Sequence, residues 1–203
     1  MKFEPMNGAP LPGTARRYDR IAVIGAGSWG TALAATARRA GCTVRIWGRK
    51  SSVVDGINRA GENSSNLPGV PLPAGLIGVH RMKDALQDAE AVMLVVPSAS
   101  VRSVSRQIAE HIPEGIPVAV CAKGIEAETG LLMTQIAAEE LGSRPLGVVS
   151  GPTFARETAL GHPTAATVAF PFSYADRLAP AESAAARFAV SLSTEAFRAY
   201  ISD

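Results

Sequence analysis

From Arg20 onward, short apolar runs alternate with segments of helical period. The run RIAVIG, Arg20 to Gly25, reads as a buried strand, and Gly30 to Ala40 then places Leu33, Thr36, Ala37 and Ala40 on one helical face. Gly41 ends that helix, with Arg38 and Arg39 near its negative end. Further short strands are predicted at Thr43 to Trp47, Ile77 to His80, Ala91 to Val96, Pro117 to Cys121 and Leu146 to Ser150. Between Ser100 and Ile112 an apolar stripe of Val101, Val104, Ile108 and Ile112 predicts a helix whose Arg102, Arg106 and Glu110 face water. Ser173 and Asp176 form a capping box ahead of a last helix, its buried face being Leu178, Ala181, Ala185, Phe188 and Leu192. Strand and helix units joined by connections this short imply a doubly wound α/β fold: a parallel sheet, right-handed crossovers and helices on both faces. One segment breaks the rhythm. Asn63 to Gly75, NSSNLPGVPLPAG, carries Pro68, Pro71 and Pro73 and is expected to be an irregular loop near the active site.

Composition narrows this picture. With 203 residues, 47% hydrophobic and 19% charged, the chain suits one globular domain that needs no metal or disulfide staple. A net charge of +2 lacks the concentrated basic face of a nucleic-acid binder. No apolar run approaches the roughly 20 residues that span a bilayer. Cys42 and Cys121 are far apart and without metal-ligand spacing, as reduced buried thiols of a cytoplasmic protein would be. Residues 1–19, with Pro5, Pro10 and Pro12, are expected to be a flexible tail, leaving 20–203 as the folded domain.

Gly25, Gly27 and Gly30 make GxGxxG as GAGSWG, between a predicted strand and a predicted helix. There the first glycine permits a tight turn, the second lets a pyrophosphate reach the backbone, and the third lets helix pack on strand. The phosphates would meet the helix N-terminus. Residues 20–203 thus read as a dinucleotide-binding Rossmann domain. An NAD site usually has a carboxylate about 20 residues beyond the motif, but this chain has Trp47, Gly48, Arg49 and Lys50. Arg49 and Lys50 would pair with the 2′-phosphate of NADP(H), or form a solvated basic turn. Both NADP(H) and NAD(H) remain candidate cofactors.

Ligands of open α/β sheets lie at the carboxyl ends of the strands. Four strand ends carry informative residues: Gly25; Pro97 and Ser98; Lys123 and Gly124; and Gly151, Pro152 and Thr153. Lys123 would polarise a carbonyl or bind an anionic substrate there, or it is a surface lysine. Ser28 and Trp29 lie in the glycine turn, where Trp29 either touches cofactor or packs under the helix, and Ser98 either contacts cofactor or caps a helix. His80, His111 and His162 have no partner at metal-ligand or relay spacing, and no metal is expected.

The segments GAGSWGTALA, NLPGVPLP, VVPS, AKGIEAETG and SGPTFARE occur in an order and spacing that resemble the N-terminal domain of bacterial NAD(P)-dependent glycerol-3-phosphate dehydrogenases, over Ile21 to Asp203. The resemblance implies that Ser28, Trp29 and Arg49 contact NADPH, that Lys123 contacts cofactor and substrate, that Gly151 and Thr153 hold glycerol phosphate, and that Ala155 lies against the cofactor. The implied reaction reduces dihydroxyacetone phosphate, a small phosphorylated substrate, to glycerol 3-phosphate for phospholipid synthesis, in a full-length homodimer. It also implies a helical C-terminal substrate domain, absent here, whose GAxKN-like motif supplies the acid lysine. The lysines present are Lys2, Lys50, Lys83 and Lys123, and none precedes an asparagine. The chain alone is therefore expected to bind cofactor and turn over slowly or not at all, with apolar surface uncovered near Gly151 to Phe154 and the final segment. Two alternatives stand beside this: a stand-alone NADP(H)-binding regulatory module, and a hydroxyacid or ketopantoate-type reductase.

Overall fold

The computed structural model describes residues 15–171 and 182–202. Eight strands form one sheet: β1 (Arg20–Ile24), β2 (Thr43–Trp47), β3 (Ile77–Val79), β4 (Ala91–Leu94), β5 (Val118–Val120), β6 (Leu146–Ser150), β7 (Thr164–Ala169) and β8 (Phe197–Ser202). Their order is β3-β2-β1-β4-β5-β6-β7-β8. All six strands expected from the sequence are present, and β1 through β6 run parallel. The sheet is not wholly parallel, however. β7 pairs antiparallel with β6, and β8 runs parallel to β7, so the last two strands oppose the rest. Neither was expected. Three of the six residues of β7 are alanines, which are depleted in strands, and they blur its signal. In β8 the signal exists, because Phe197 and Ala199 are buried while Arg198 and Tyr200 are exposed, the alternation of a half-covered strand.

Helices cover both faces. On one side Leu33, Ala34 and Ala37 of α1 (Ser28–Arg39), Val53 and Ile57 of α2 (Ser51–Ala60) and Ala185, Phe188, Ala189 and Leu192 of the helix Ala184–Leu192 share a core with Ile21 and Val23. On the other, α3 (Met82–Leu86), α4 (Val101–Ala109) and α5 (Met133–Leu141) pack on Ala22 and Ile24. The side chains of β1 thus alternate between two dry cores, which explains its unbroken apolar run. The helix α6 (Ala155–Leu160) lies outside α1, and Ala184–Leu192 is α7. The expected stripe of α4 is buried, Ile112 lying just past the helix. On α7 the expected Ala185, Phe188 and Leu192 are buried, while the capping box and Leu178 and Ala181 lie outside the described residues.

α1 is buried on more than the one face expected. Every residue from Gly30 to Ala37 is buried, because α6 and the proline-rich loop cover its outer side. That loop has no helix or strand; Leu67 and Val70 sit against Ala32 and Ala159, and Glu62 bridges Pro71. Tyr18, placed in the tail by the sequence, belongs instead to the packed body. It is 3% exposed, its N–H donates to Ser191 Oγ at 2.9 Å, and its ring meets Phe188 at 5.1 Å between centroids. Cys42 and Cys121 are free and buried, and burial pushes their thiols up to about 11 and about 12.

Phe188 is fully buried, edge-on to Tyr18 and stacked on Phe170 at 5.3 Å. Phe188→Ala is expected to lower unfolding stability by about 3–5 kcal/mol, measured by urea denaturation, because the cavity cannot close around three elements.

Candidate functional site

The turn between β1 and α1 is shaped by backbone contacts. Gly25 has φ of 123°, and a Cβ there would lie 2.3 Å from the carbonyl oxygen of Val95. At Gly30 a Cβ would fall 1.8 Å from the carbonyl oxygen of Gly25. Gly27 differs: nothing lies within 4 Å of its Cβ position, so packing within the protein does not require a glycine there. The space it leaves open lies at the N-terminus of α1, whose first turn has neither an acidic residue nor a side-chain cap. Unpaired N–H groups and the positive end of the helix dipole favour an anion at such a place.

Beside this turn lies a cleft of about 520 Å³ lined by Gly25 to Gly27, Trp47 to Lys50, Val53, Asn66 and Val95 to Pro97. It opens where the chain leaves β1 and β4 in opposite directions, the switch point at which doubly wound sheets bind ligands. Among the residues expected to hold a cofactor, it gathers Gly25, Gly27, Arg49, Lys50 and Pro97. Arg49 and Lys50 are exposed at its rim. Gly30 is buried beneath it as packing. Ser28 and Trp29 open α1 rather than lining the cleft; Trp29 is half-buried against the cluster of Leu67, Val70 and Ala159. Its indole Nε1 is buried with no hydrogen-bond partner among the described residues.

A second group forms at the next strand ends. Lys123 Nζ donates to the carbonyl oxygen of Gly151 at 3.0 Å, joining the turns after β5 and β6. A Cβ on Gly124 would lie 3.2 Å from Ser98 Cβ, so the turn after β4 touches the same loop. Ser98 is the first residue of a 3-10 turn, Ser98–Ser100, whose N-cap position is Pro97. Thr153 is half-buried, Phe154 is 71% exposed, and Ala155 begins α6. None of the three histidines lines the cleft; His80 Nε2 lies 3.5 Å from Asp55 Oδ1, both exposed.

Two features escaped sequence reasoning. Asn63 and Asn66 hydrogen-bond the glycine turn, with no signal beyond their place in the proline-rich loop. Arg102, expected to face water, grips Glu126 through the Nε and Nη2 edge of its guanidinium at 2.9 and 2.8 Å and reaches Glu139 and Glu140 through Nη1. Arg106 makes a second bidentate pair with Glu140. This network ties α4 and α5 to the loop that carries Lys123. The Arg102 guanidinium holds Glu126 at about 2, well below the ordinary carboxylate range, and the Thr129 hydroxyl adds to the effect. No helix among the described residues is long and apolar enough to cross a membrane.

The strand order, the glycine turn and the cleft at the switch point together define a Rossmann-type dinucleotide-binding domain of the dehydrogenase kind. A family model described as NAD-dependent glycerol-3-phosphate dehydrogenase N-terminus matches residues 20–175. The chain is 44% identical over 184 residues, 91% of its length and 63% of the other, to glycerol-3-phosphate dehydrogenase [NAD(P)+] of Paramagnetospirillum magneticum. It is 48% identical to the protein of that name from Rhodospirillum rubrum, covering 74% of this chain and 43% of that one. The crystal structure of glycerol-3-phosphate dehydrogenase from Coxiella burnetii superposes with a TM-score of 0.79 at 33% identity, over 92% of this chain and 54% of that chain. The chain belongs to the NAD(P)-dependent glycerol-3-phosphate dehydrogenase family, and it spans about half the length of the relatives it matches.

Because the folded Glu126 carboxyl titrates below its ordinary range, the stability it contributes is present above that range and is lost as pH falls toward about 2. Arg102→Met is expected to release the loop 122–132 at neutral pH. Amide hydrogen exchange across that loop should rise several-fold, while the strands of the sheet keep their protection; unchanged loop exchange would contradict the tether.

Proposed function

We propose that this chain is the cofactor-holding half of an enzyme that reduces dihydroxyacetone phosphate to sn-glycerol 3-phosphate with NADPH or NADH. The observation that carries the reading is the Lys123–Gly151 contact beside the glycine cleft, in a chain of this family. The cleft fits a dinucleotide: the open Gly27 position and the α1 N-terminus suit a pyrophosphate, and Arg49 and Lys50, in a cleft whose described lining holds no carboxylate, suit the 2′-phosphate of NADP(H). Ser28, Trp29, Pro97 and Ala155 complete the cofactor contacts. When bound, the reduced nicotinamide supplies hydride. Lys123 holds the substrate's carbonyl oxygen and stabilises the charge that develops on it, while Gly151 and Thr153 hold the phosphorylated end. The proton for the alkoxide comes, in this reading, from a lysine outside residues 1–203, so this chain alone binds cofactor and turns over slowly or not at all. Family membership alone supports extending the reading to a cytoplasmic homodimer that feeds glycerophospholipid synthesis.

Titration with NADPH is expected to raise the midpoint of thermal unfolding. Arg49→Asp should weaken NADPH by roughly 10–100-fold, the range of a lost charge-assisted bond, and NADH far less. Equal losses for the two cofactors would return Arg49 to a solvated basic turn. In the polypeptide extended through its coding frame, Lys123→Ala should lower kcat for dihydroxyacetone phosphate by about 10²–10³-fold, followed as NADPH oxidation. Full turnover by the 203-residue chain alone would refute the external acid.

A further inference from the structure

Asn63 is fully buried in a loop that has no regular structure, and its carboxamide is spent on the glycine turn. Asn63 Nδ2 donates to the carbonyl oxygen of Ala26 at 3.0 Å and to Thr31 Oγ1 at 2.7 Å. Asn66 Nδ2 donates to the same Ala26 oxygen at 3.0 Å and to Asn63 Oδ1 at 3.1 Å. Two side-chain amides therefore converge on a single carbonyl between Gly25 and Gly27. The loop that carries them is anchored in its turn by buried Leu67 and Val70 and by Arg156, which donates to the carbonyl oxygen of Pro68.

A trans peptide points its C=O and its N–H to opposite sides. With the Ala26 oxygen held among the asparagines, the Gly27 N–H is turned away from them, and Gly27 is the exposed position with open space around it. An unpinned Ala26–Gly27 peptide next to Gly25 would be free to flip, since glycine tolerates both signs of φ. We propose that Asn63 and Asn66 are positioning residues: they fix this peptide so that the Gly27 N–H and the first turn of α1 are aimed at a diphosphate before it arrives. The role rests on the dinucleotide reading given above. Donors set in advance need no reordering on binding, which raises affinity for the diphosphate in particular.

The test compares wild type, Asn66→Ala and Asn63→Ala by calorimetric titration with three probes: NADPH, inorganic pyrophosphate, and adenosine 2′-monophosphate, which lacks a diphosphate. Asn66 is exposed as a residue, so Asn66→Ala keeps the fold even if Asn63→Ala does not. Asn66→Ala is expected to raise Kd for NADPH and pyrophosphate by roughly 3–10-fold, the range of one lost hydrogen bond, and to leave adenosine 2′-monophosphate within about twofold. The Gly27 amide resonance, shifted by pyrophosphate in wild type, should already be displaced in the free variant. An equal loss for all three probes would make Asn66 a direct nucleoside contact and overturn the proposal, as would an unmoved Gly27 resonance. If wild type binds neither NADPH nor pyrophosphate, the dinucleotide reading itself falls, and the positioning role with it.

Discussion

The backbone contact between Gly30 and Gly25 governs the rest of the molecule. A Cβ on Gly30 would stand 1.8 Å from the Gly25 carbonyl oxygen, so only a bare backbone lets α1 approach β1 this closely. That approach places the N-terminus of α1 beside the end of β1 and beneath Val95, whose backbone leaves no room for a side chain at Gly25. A larger residue at either position would lift the helix, and the cleft would lose its floor. The same closeness explains why α1 is rich in alanine: Ala32, Ala34, Ala35 and Ala37 are fully buried between the sheet and α6, where longer side chains would separate the layers.

Much of this was legible in the chain. The six parallel strands and the helical stripe of α4 follow from periodicity, because a strand with both faces covered must be apolar throughout and a helix on a sheet must be apolar on one side. The site was legible as far as its backbone: Gly25, Gly27, Arg49, Lys50 and Pro97 lie in one cleft because strand ends of a doubly wound sheet converge. Periodicity failed where the physical cause was long-range. It gave α1 one buried face, since nothing local announces α6 packing on the other. It missed β7, whose small residues earn their place by pairing with β6 and β8 rather than by propensity. It put Arg102 in water, because a partner 24 positions away along the chain leaves no periodic trace.

The Arg102 cluster is more than a set of surface ion pairs. Isolated exposed pairs contribute little, since solvent screening and side-chain entropy offset the attraction. Here two arginines share three carboxylates, two of them in bidentate geometry, and Glu126 also accepts from Thr129. Glu126 and Glu140 are each held by more than one bond, so fixing the second bond costs less entropy than fixing the first. The beneficiary is an otherwise irregular loop between β5 and α5 that carries Lys123. Within itself the loop is closed by the bridge of Ile125 to Leu132 and by the Glu126 N–H, which donates to the carbonyl oxygen of Leu131.

The two halves of the site are linked through a single helix. α1 presents its N-terminus to the cleft, and along its length it packs against α6, which begins directly after the Gly151–Phe154 turn. Arg39, near the other end of α1, donates to the carbonyl oxygen of Ala159 and so fixes the far end of the same pair. The proline-rich loop closes the arrangement from outside, with Asn63 on the glycine turn and Pro68 bonded to Arg156 of α6. A shift of α6 would therefore move the loop and, through the asparagines, the Ala26 carbonyl. The distance between Gly27 and Gly151 is set by helix packing rather than by the turns at either end.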